Sequence, residues 1–161
     1  MGYIRDLREH VGHMPIMAIS TTCIMYDSEN RTILFQQRSD THTWGVPGGV
    51  LEIGESIYEG LAREVKEETG LDILDAKLYD IRVNKPFKYP NGDVTYYTEF
   101  ICVSTEFSGE LSHDDEGDDL QWFSINDLPR DISPFQEEYI RRFVEVINEE
   151  DFSRKLRSLP N

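Results

Sequence analysis

The stretch GVLEIGESIYEGLAREVKEETGL, residues 49–71, decides how the chain is read. It begins as a loop punctuated by Gly, and then the hydrophobic period changes. Ile57, Leu61 and Val65 recur every four residues, with Ala62 beside them, giving the single buried stripe of a helix. Ser56 and Glu59 form a capping box, and Gly70 is a natural C-terminal stop, so the spacing predicts a helix from Ile57 to Thr69. Gly60 in its interior costs about 1 kcal/mol relative to Ala, which close packing against a neighbouring loop or strand would explain. The other face carries Glu64, Glu67 and Glu68. Glu67 has Arg63 one turn back, whereas Glu68 has Glu64 one turn back and Asp72 one turn on. Two such charges about 5 Å apart repel by roughly 3 kcal/mol at an effective dielectric near 20. A cation absent from the sequence is expected to balance them.

The rest of the chain frames that helix. At 161 residues, 39% hydrophobic and 11% aromatic, it is expected to fold as one domain spanning 1–161 with a real core. Sixteen basic and 31 acidic residues leave a net charge of -15. That balance argues against a nucleic-acid or anionic-membrane binder, since counterion release needs a basic surface. It also makes a phosphate-bearing substrate hard to hold without a metal cation in between. No apolar run has the length of a membrane span, and MGYIRDLREH lacks the apolar core of a signal peptide. A cytoplasmic protein fits best. Cys23 and Cys102 lie in apolar, strand-like runs and read as small buried hydrophobes.

PIMAISTTCIMY (15–26) and RTILFQQR (31–38) read as a hairpin turned by DSEN, and THTWGVPGGVLEIGES (41–56) as a loop of fixed shape. AKLYDIRV (76–83), VTYYTEFICVS (94–104) and DLQWFSI (119–125) read as further strands, with KYPNGD (88–93) a turn. A last helix is expected to start at Ser133 as cap, with Pro134 first and Gln136 completing a box. Phe135, Tyr139, Ile140, Phe143, Val144 and Ile147 form its core stripe. Strands with two well-separated helices predict a layered α/β domain. The basic tail FSRKLRSLP has no assignment.

Laid end to end, Gly49, Glu55 after five intervening residues, Arg63-Glu64 after seven more, then Val65, Glu67-Glu68, Gly70 and Leu71 resemble the box of the Nudix (MutT-like) hydrolases, with every defining position filled. WGVPGG ahead of it and DLQWFSINDLP behind it look like the family's flanking segments, so the resemblance spans roughly residues 15 to 147. It implies an α/β/α sandwich with a mixed β-sheet between helices. It also implies hydrolysis of a nucleoside diphosphate linked to another group, with divalent metal. Mg2+ is a hard cation held by one or two carboxylates plus substrate phosphates, which Glu64, Glu67 and Glu68 on a rigid helix can provide. The missing positive partner is then Mg2+, with Mn2+ a substitute.

The resemblance assigns roles position by position. Gly48 matches the residue whose carbonyl helps bind metal, and Glu68 the most consistent ligand. Glu64 and Glu67 serve as ligands directly or through water. Arg63 braces a box carboxylate, Glu55 or Glu67. Two candidates for the water-activating base stay open: Glu64, and Glu116 in SHDDEGDDLQWF, where many relatives carry an acidic residue that reaches the metals. A neighbouring Asp (114, 115, 118 or 119) is a further option. Arg38, Trp44 and Tyr89 are the substrate-binding candidates. Trp44 with Pro47 also resembles the family's W-x-x-P arrangement, which stacks the loop on the core. Pro86 and Tyr89 match family markers for ADP-ribose and dinucleoside polyphosphates respectively, so the markers do not decide. An EF-hand reading of the acidic loop fails, because it places Ser112 first and Phe123 last where acids are needed. The expected activity is pyrophosphate hydrolysis of a nucleoside triphosphate or its oxidised form. An ADP-ribose or nucleotide-sugar pyrophosphatase is the alternative, and a catalytically silent nucleotide-binding domain a distant one. The expected partner is a small-molecule nucleotide, with no nucleic acid or membrane, and the protein a monomer or homodimer.

Overall fold

The computed structural model describes residues 2–39, 41–112, 119–147 and 156–159. In chain order the elements are α1 (Tyr3–Val11), β1 (Ile16–Asp27), β2 (Thr32–Gln37), β3 (Trp44–Gly45), β4 (Gly48–Val50), α2 (Ile57–Thr69) and β5 (Asp72–Ile73). There follow β6 (Lys77–Val83), β7 (Phe87–Lys88), β8 (Val94–Ser104), β9 (Phe107–Ser108), β10 (Leu120–Ser124), α3 (Glu137–Val146) and β11 (Arg157–Ser158). The main sheet runs β10-β2-β1-β8-β6-β11, with β3 on β2, β4 on β1 and β7 on β8. β1 and β8 lie parallel from Ile16↔Thr95 to Met25↔Ser104, while the other pairs are antiparallel. The sheet is therefore mixed.

Alternation along the central strands sends side chains to both faces. On one face Cys23, Met25 and Leu34 pack with Ile57, Leu61 and Val65 of α2. On the other, Ile24, Tyr26, Ile33 and Phe35 pack with Tyr139, Ile140 and Phe143 of α3. The result is the expected α/β/α layering, and residues 21–26 of β1 are all buried because both of its faces are covered. Cys23 and Cys102 are buried free thiols, and burial pushes the Cys102 thiol up to about 12.

The expected helix is present with the predicted ends. Ser56 accepts from the Glu59 backbone N–H while Glu59 reaches back to Ser56, and Gly70 takes a left-handed φ of 75°. A side chain at Gly60 would come within 2.1 Å of Leu51 Cδ2, which accounts for the helical glycine. The hairpin also forms, with Tyr26 opposite Ile33.

Two expectations are corrected. The last helix begins at Glu137, not at Ser133, because the Gln136 side chain is recruited elsewhere: its Oε1 accepts from Val46 N at 2.8 Å. Phe135 consequently stands off the core, 39% exposed. The first residues, unassigned in the sequence, form α1, tied down by Arg8 Nη2 donating to Val94 O at 3.0 Å and by Tyr3 N donating to Glu52 at 2.9 Å. None of its residues is buried. No helix among the described residues is long and apolar enough to cross a membrane.

Candidate active site

The site grows from the contact between α2 and β4. Gly48 lies so close to β1 that a side chain there would meet Thr21 O at 2.2 Å and Thr22 Cα at 2.6 Å. At Gly49 it would meet Glu64 Cδ at 2.4 Å. Only glycines let the strand approach both the sheet and the helix. The approach brings Gly48 N to 2.8 Å from Glu68 Oε2, to which it donates. The backbone dipole is the local positive partner that the helix sequence does not contain.

Arg63 organises the other carboxylates. Nε and Nη2 hold Glu55 at 2.7 and 3.0 Å, and Nη1 donates to Glu64 at 2.8 Å and to Glu67 at 3.2 Å. Nη2 also donates to Val50 O at 3.1 Å, fastening α2 to β4. The bonds to Arg63 hold the Glu55 carboxyl below its usual range and its own guanidinium above. Glu64 moves the other way, because burial outweighs Arg63 and raises its pKa. Glu67 stays 61% exposed. Arg63 thus reaches Glu55, Glu64 and Glu67 together, and Glu64 is not without a cation. The expected repulsion of Glu68 by Asp72 is also corrected: the helix ends at Gly70, and Asp72 pairs with Lys66 Nζ at 2.7 Å.

Beside this cluster opens a cleft of about 240 Å3, on the α3 side of the sheet. Gly48, Gly49 and Glu68 line it; Phe87, Tyr89 and Phe135 form an aromatic wall, and Gln36 and Arg38 line it too. Phe87 packs on Tyr89 and on Phe135 with ring centroids 4.5 and 4.9 Å apart. The Tyr89 hydroxyl meets that of Tyr97 at 2.6 Å. Of the three substrate candidates, Arg38 and Tyr89 line the cleft and Trp44 does not. Trp44 packs edge-on against Phe123, centroids 4.9 Å apart, and its backbone bridges Asp131 and Ser133. These contacts place it in the support of the loop. Glu116 and its neighbours 113–118 lie outside the described residues.

One cleft residue was missed by sequence reasoning. Glu99, on β8, is only 6% exposed. Thr22 Oγ1 donates to its Oε1 at 3.2 Å and Asn84 Nδ2 to its Oε2 at 2.8 Å. Burial raises its pKa, against the opposing effect of these donors and of Arg82. A single acid within an aromatic, β-branched strand carries no periodic signal; only the fold brings it to the cleft.

No three His, Cys, Asp or Glu side chains among the described residues already surround a common point. The donors nevertheless suit a hard cation: every one is oxygen, and only glycine at 48 and 49 lets β4 lie this close to Glu64.

Comparison with known proteins agrees with this geometry. Residues 17–143 match the NUDIX domain family. The chain is 30% identical over 110 residues to Nudix hydrolase YvcI of Bacillus subtilis, covering 67% of this chain and 66% of the relative. It is 27% identical over 129 residues to an ADP-ribose pyrophosphatase of Methanocaldococcus jannaschii, covering 78% and 72%. An NAD-capped RNA hydrolase, NudC, of Vibrio atlanticus is 32% identical over 66% of this chain, which spans only 37% of that relative. Among solved structures, a MutT protein from Bacillus halodurans superposes with TM-score 0.64 at 26% identity, over 79% of this chain and 82% of that one. A MutT Nudix hydrolase from Burkholderia pseudomallei, at 22% identity, shares the fold with TM-score 0.65 over 82% and 98%. With the box, the mixed sheet and the glycine cradle in place, the chain belongs to the Nudix (MutT-like) hydrolase family.

Proposed function

We propose that the cleft hydrolyses the pyrophosphate linkage of a nucleoside diphosphate derivative, with Mg2+, or Mn2+ in its place, as cofactor. The observation that carries this reading is the continuity of the site: Glu68 on Gly48 N lines the aromatic-walled cleft, and Glu64 lies against Gly49, which lines it too. The Gly48 carbonyl, Glu64, Glu67, Glu68 and Glu116 are the residues that would hold the metal. When bound, it neutralises phosphate charge and makes water a better nucleophile.

The protein's own part is positioning. Arg63 keeps Glu64 and Glu67 oriented without touching substrate, and Arg38, on the cleft lining, is the residue that would contact a phosphate. Tyr89 and Phe87 offer faces for a planar base. The proton of the attacking water goes to Glu64 or to Glu116. The preferred substrate is a nucleoside triphosphate or its oxidised form. The pyrophosphatase name of the Methanocaldococcus relative favours a second reading, ADP-ribose or a nucleotide sugar. A nucleotide panel assayed with Mg2+ and after exhaustive chelation tests the reaction. Running the best substrate in heavy-oxygen water then shows which phosphorus is attacked. No turnover of any member, or full turnover in chelator, would refute the reading.

A further inference from the structure

The central strands β1, β8 and β6 are bare at one end of the face that carries α2. Strand alternation and register fix which side chains share that face. Met17 lies beside Tyr96, and Ile19 beside Thr98, in the parallel β1–β8 ladder. Ile81 lies beside Phe100, and Val83 beside Thr98, in the β6–β8 ladder. All stand on the side where Cys23, Cys102 and Leu78 pack with α2, so they continue the core face beyond the helix. Their alternate neighbours Ile16, Ala18 and Thr95 point to the opposite side and are buried there, where Arg8 of α1 donates to Thr95 Oγ1 at 3.1 Å. On the α2 side Met17, Ile19, Ile81, Val83 and Tyr96 are instead 39–72% exposed.

Size and charge set this face apart from ordinary surface. At roughly 150–250 Å2 for a large side chain laid fully open, these five expose about 500 Å2, most of it apolar. Soluble monomers rarely show more than a few hundred Å2 in one apolar patch. A standard interface takes about 800 Å2 from each partner, and at a homodimer about 65% of that is apolar. The face therefore supplies the apolar share of one side. The chain is 29% charged with a net charge of -15, yet no register-placed side chain on this face is charged. Depletion of charge, with Met, Tyr and Phe in its place, marks the core of an interface.

The charge balance also selects the partner. A basic protein finds its acidic complement elsewhere on this chain, and an anionic membrane is repelled. A second copy carries the same excess of acid, so it can approach closely only where both surfaces are uncharged. A two-fold contact provides this by setting the patch against itself.

We infer that the open end of the α2 face is an isologous interface, covered by a second copy of this chain.

The test is sedimentation equilibrium of the full chain over a range of concentration and salt. Wild type is expected to reach twice the chain mass with a dissociation constant of about micromolar or tighter. Salt should tighten the dimer, because it screens repulsion between two acidic copies, whereas an ion-paired contact would loosen. Val83→Lys places two like charges in one symmetric seam and should weaken the dimer at least about a hundredfold. It lowers the net negative charge, so added acid cannot explain the loss. Position 83 is exposed in the single chain, so the variant should keep the wild-type far-ultraviolet spectrum. Met17→Lys on β1 repeats the test should Val83→Lys misfold. Leu74→Lys, at an exposed apolar residue just past β5, should leave the dimer intact. Wild type that stays monomeric at about 100 μM overturns the inference. So does a dimer that salt dissociates, one that survives the lysines at 83 and 17, or one lost equally in Leu74→Lys. Binding of monomeric wild type, but not Val83→Lys, to phosphatidylcholine vesicles would give the face to a lipid surface and overturn it as well.

Discussion

Replacing Arg63 by Ala strips three carboxylates of one cation at once, and the structure sets the size of the effect. The paired bonds to Glu55 and the bond to Glu64 are mostly shielded, with side-chain exposures of 27% for Arg63, 19% for Glu55 and 16% for Glu64. Hydrogen bonds to charged groups contribute about 1.5–3 kcal/mol each before screening. The Glu67 contact, largely in solvent, adds about 0.5 kcal/mol. Allowing for screening and for bonds that share one guanidinium, the loss should be about 3–4 kcal/mol. For a chain of this size that is a fall in Tm of roughly 6–16 °C. Arg63→Lys keeps the charge but cannot grip Glu55 through two nitrogens, so it should lose about half as much. Thermal and urea melts of metal-free protein at neutral pH measure both. The pH dependence has a definite sign: the Glu55 carboxyl lies below its ordinary value of 4.5 in the fold, so the pair's contribution is present above that value and lost as pH falls. The gap between wild type and Arg63→Ala should therefore narrow on acidification. A gap of less than about 1 kcal/mol at neutral pH would reduce Arg63 to a surface ion pair and refute the brace.

Glu99 titrates in the opposite sense. Its pKa is raised by burial, so wild type should match Glu99→Gln below the ordinary carboxyl value of 4.5 and lose ground to it as pH rises. Each tenfold difference in proton affinity between the folded and unfolded carboxyl corresponds to about 1.4 kcal/mol of that loss. Melts at a series of pH values read it, and a gap independent of pH would contradict this. Gly49→Ala would drive a methyl group to 2.4 Å from Glu64 Cδ, so that carboxylate must move. Activity should fall about a hundredfold while Tm changes by only a few degrees, and kinetics set beside a melt will separate the two. If Glu116 is the base, Glu116→Gln should lower kcat by about 10² to 10⁴ with Mg2+ affinity nearly unchanged; a variant within about threefold returns the role to Glu64 or a neighbouring Asp.

What the sequence disclosed was local. The α2 stripe, its capping box and the Gly70 stop lie within a few residues of one another, and the helix formed as read. The DSEN hairpin did likewise. The parallel pairing of β1 with β8 could not be read, because the register Cys23↔Cys102 joins residues far apart in sequence. The displaced start of α3 has the same origin: Ser133, Pro134 and Gln136 form a sound cap locally, but the loop at Val46 takes the Gln136 side chain. α1 escaped notice because it buries nothing and owes its place to Arg8 and Glu52. At the site, the helix pattern located Arg63, Glu64, Glu67 and Glu68, whereas Glu99 became visible only once β8 was set beside β1.

The central claim is that Glu68, poised on Gly48 N, is the carboxylate on which the metal-dependent reaction depends, and Glu68→Gln tests it most directly. The amide oxygen of Gln can still accept from Gly48 N, now 2.8 Å from the carboxylate, so the metal-free variant should melt at or slightly above the wild-type temperature. Measured in Mg2+ on the best substrate, kcat/KM should fall about a thousandfold or more, a loss of roughly 4 kcal/mol in transition-state stabilisation. A variant that folds and retains activity within about tenfold of wild type would contradict the account.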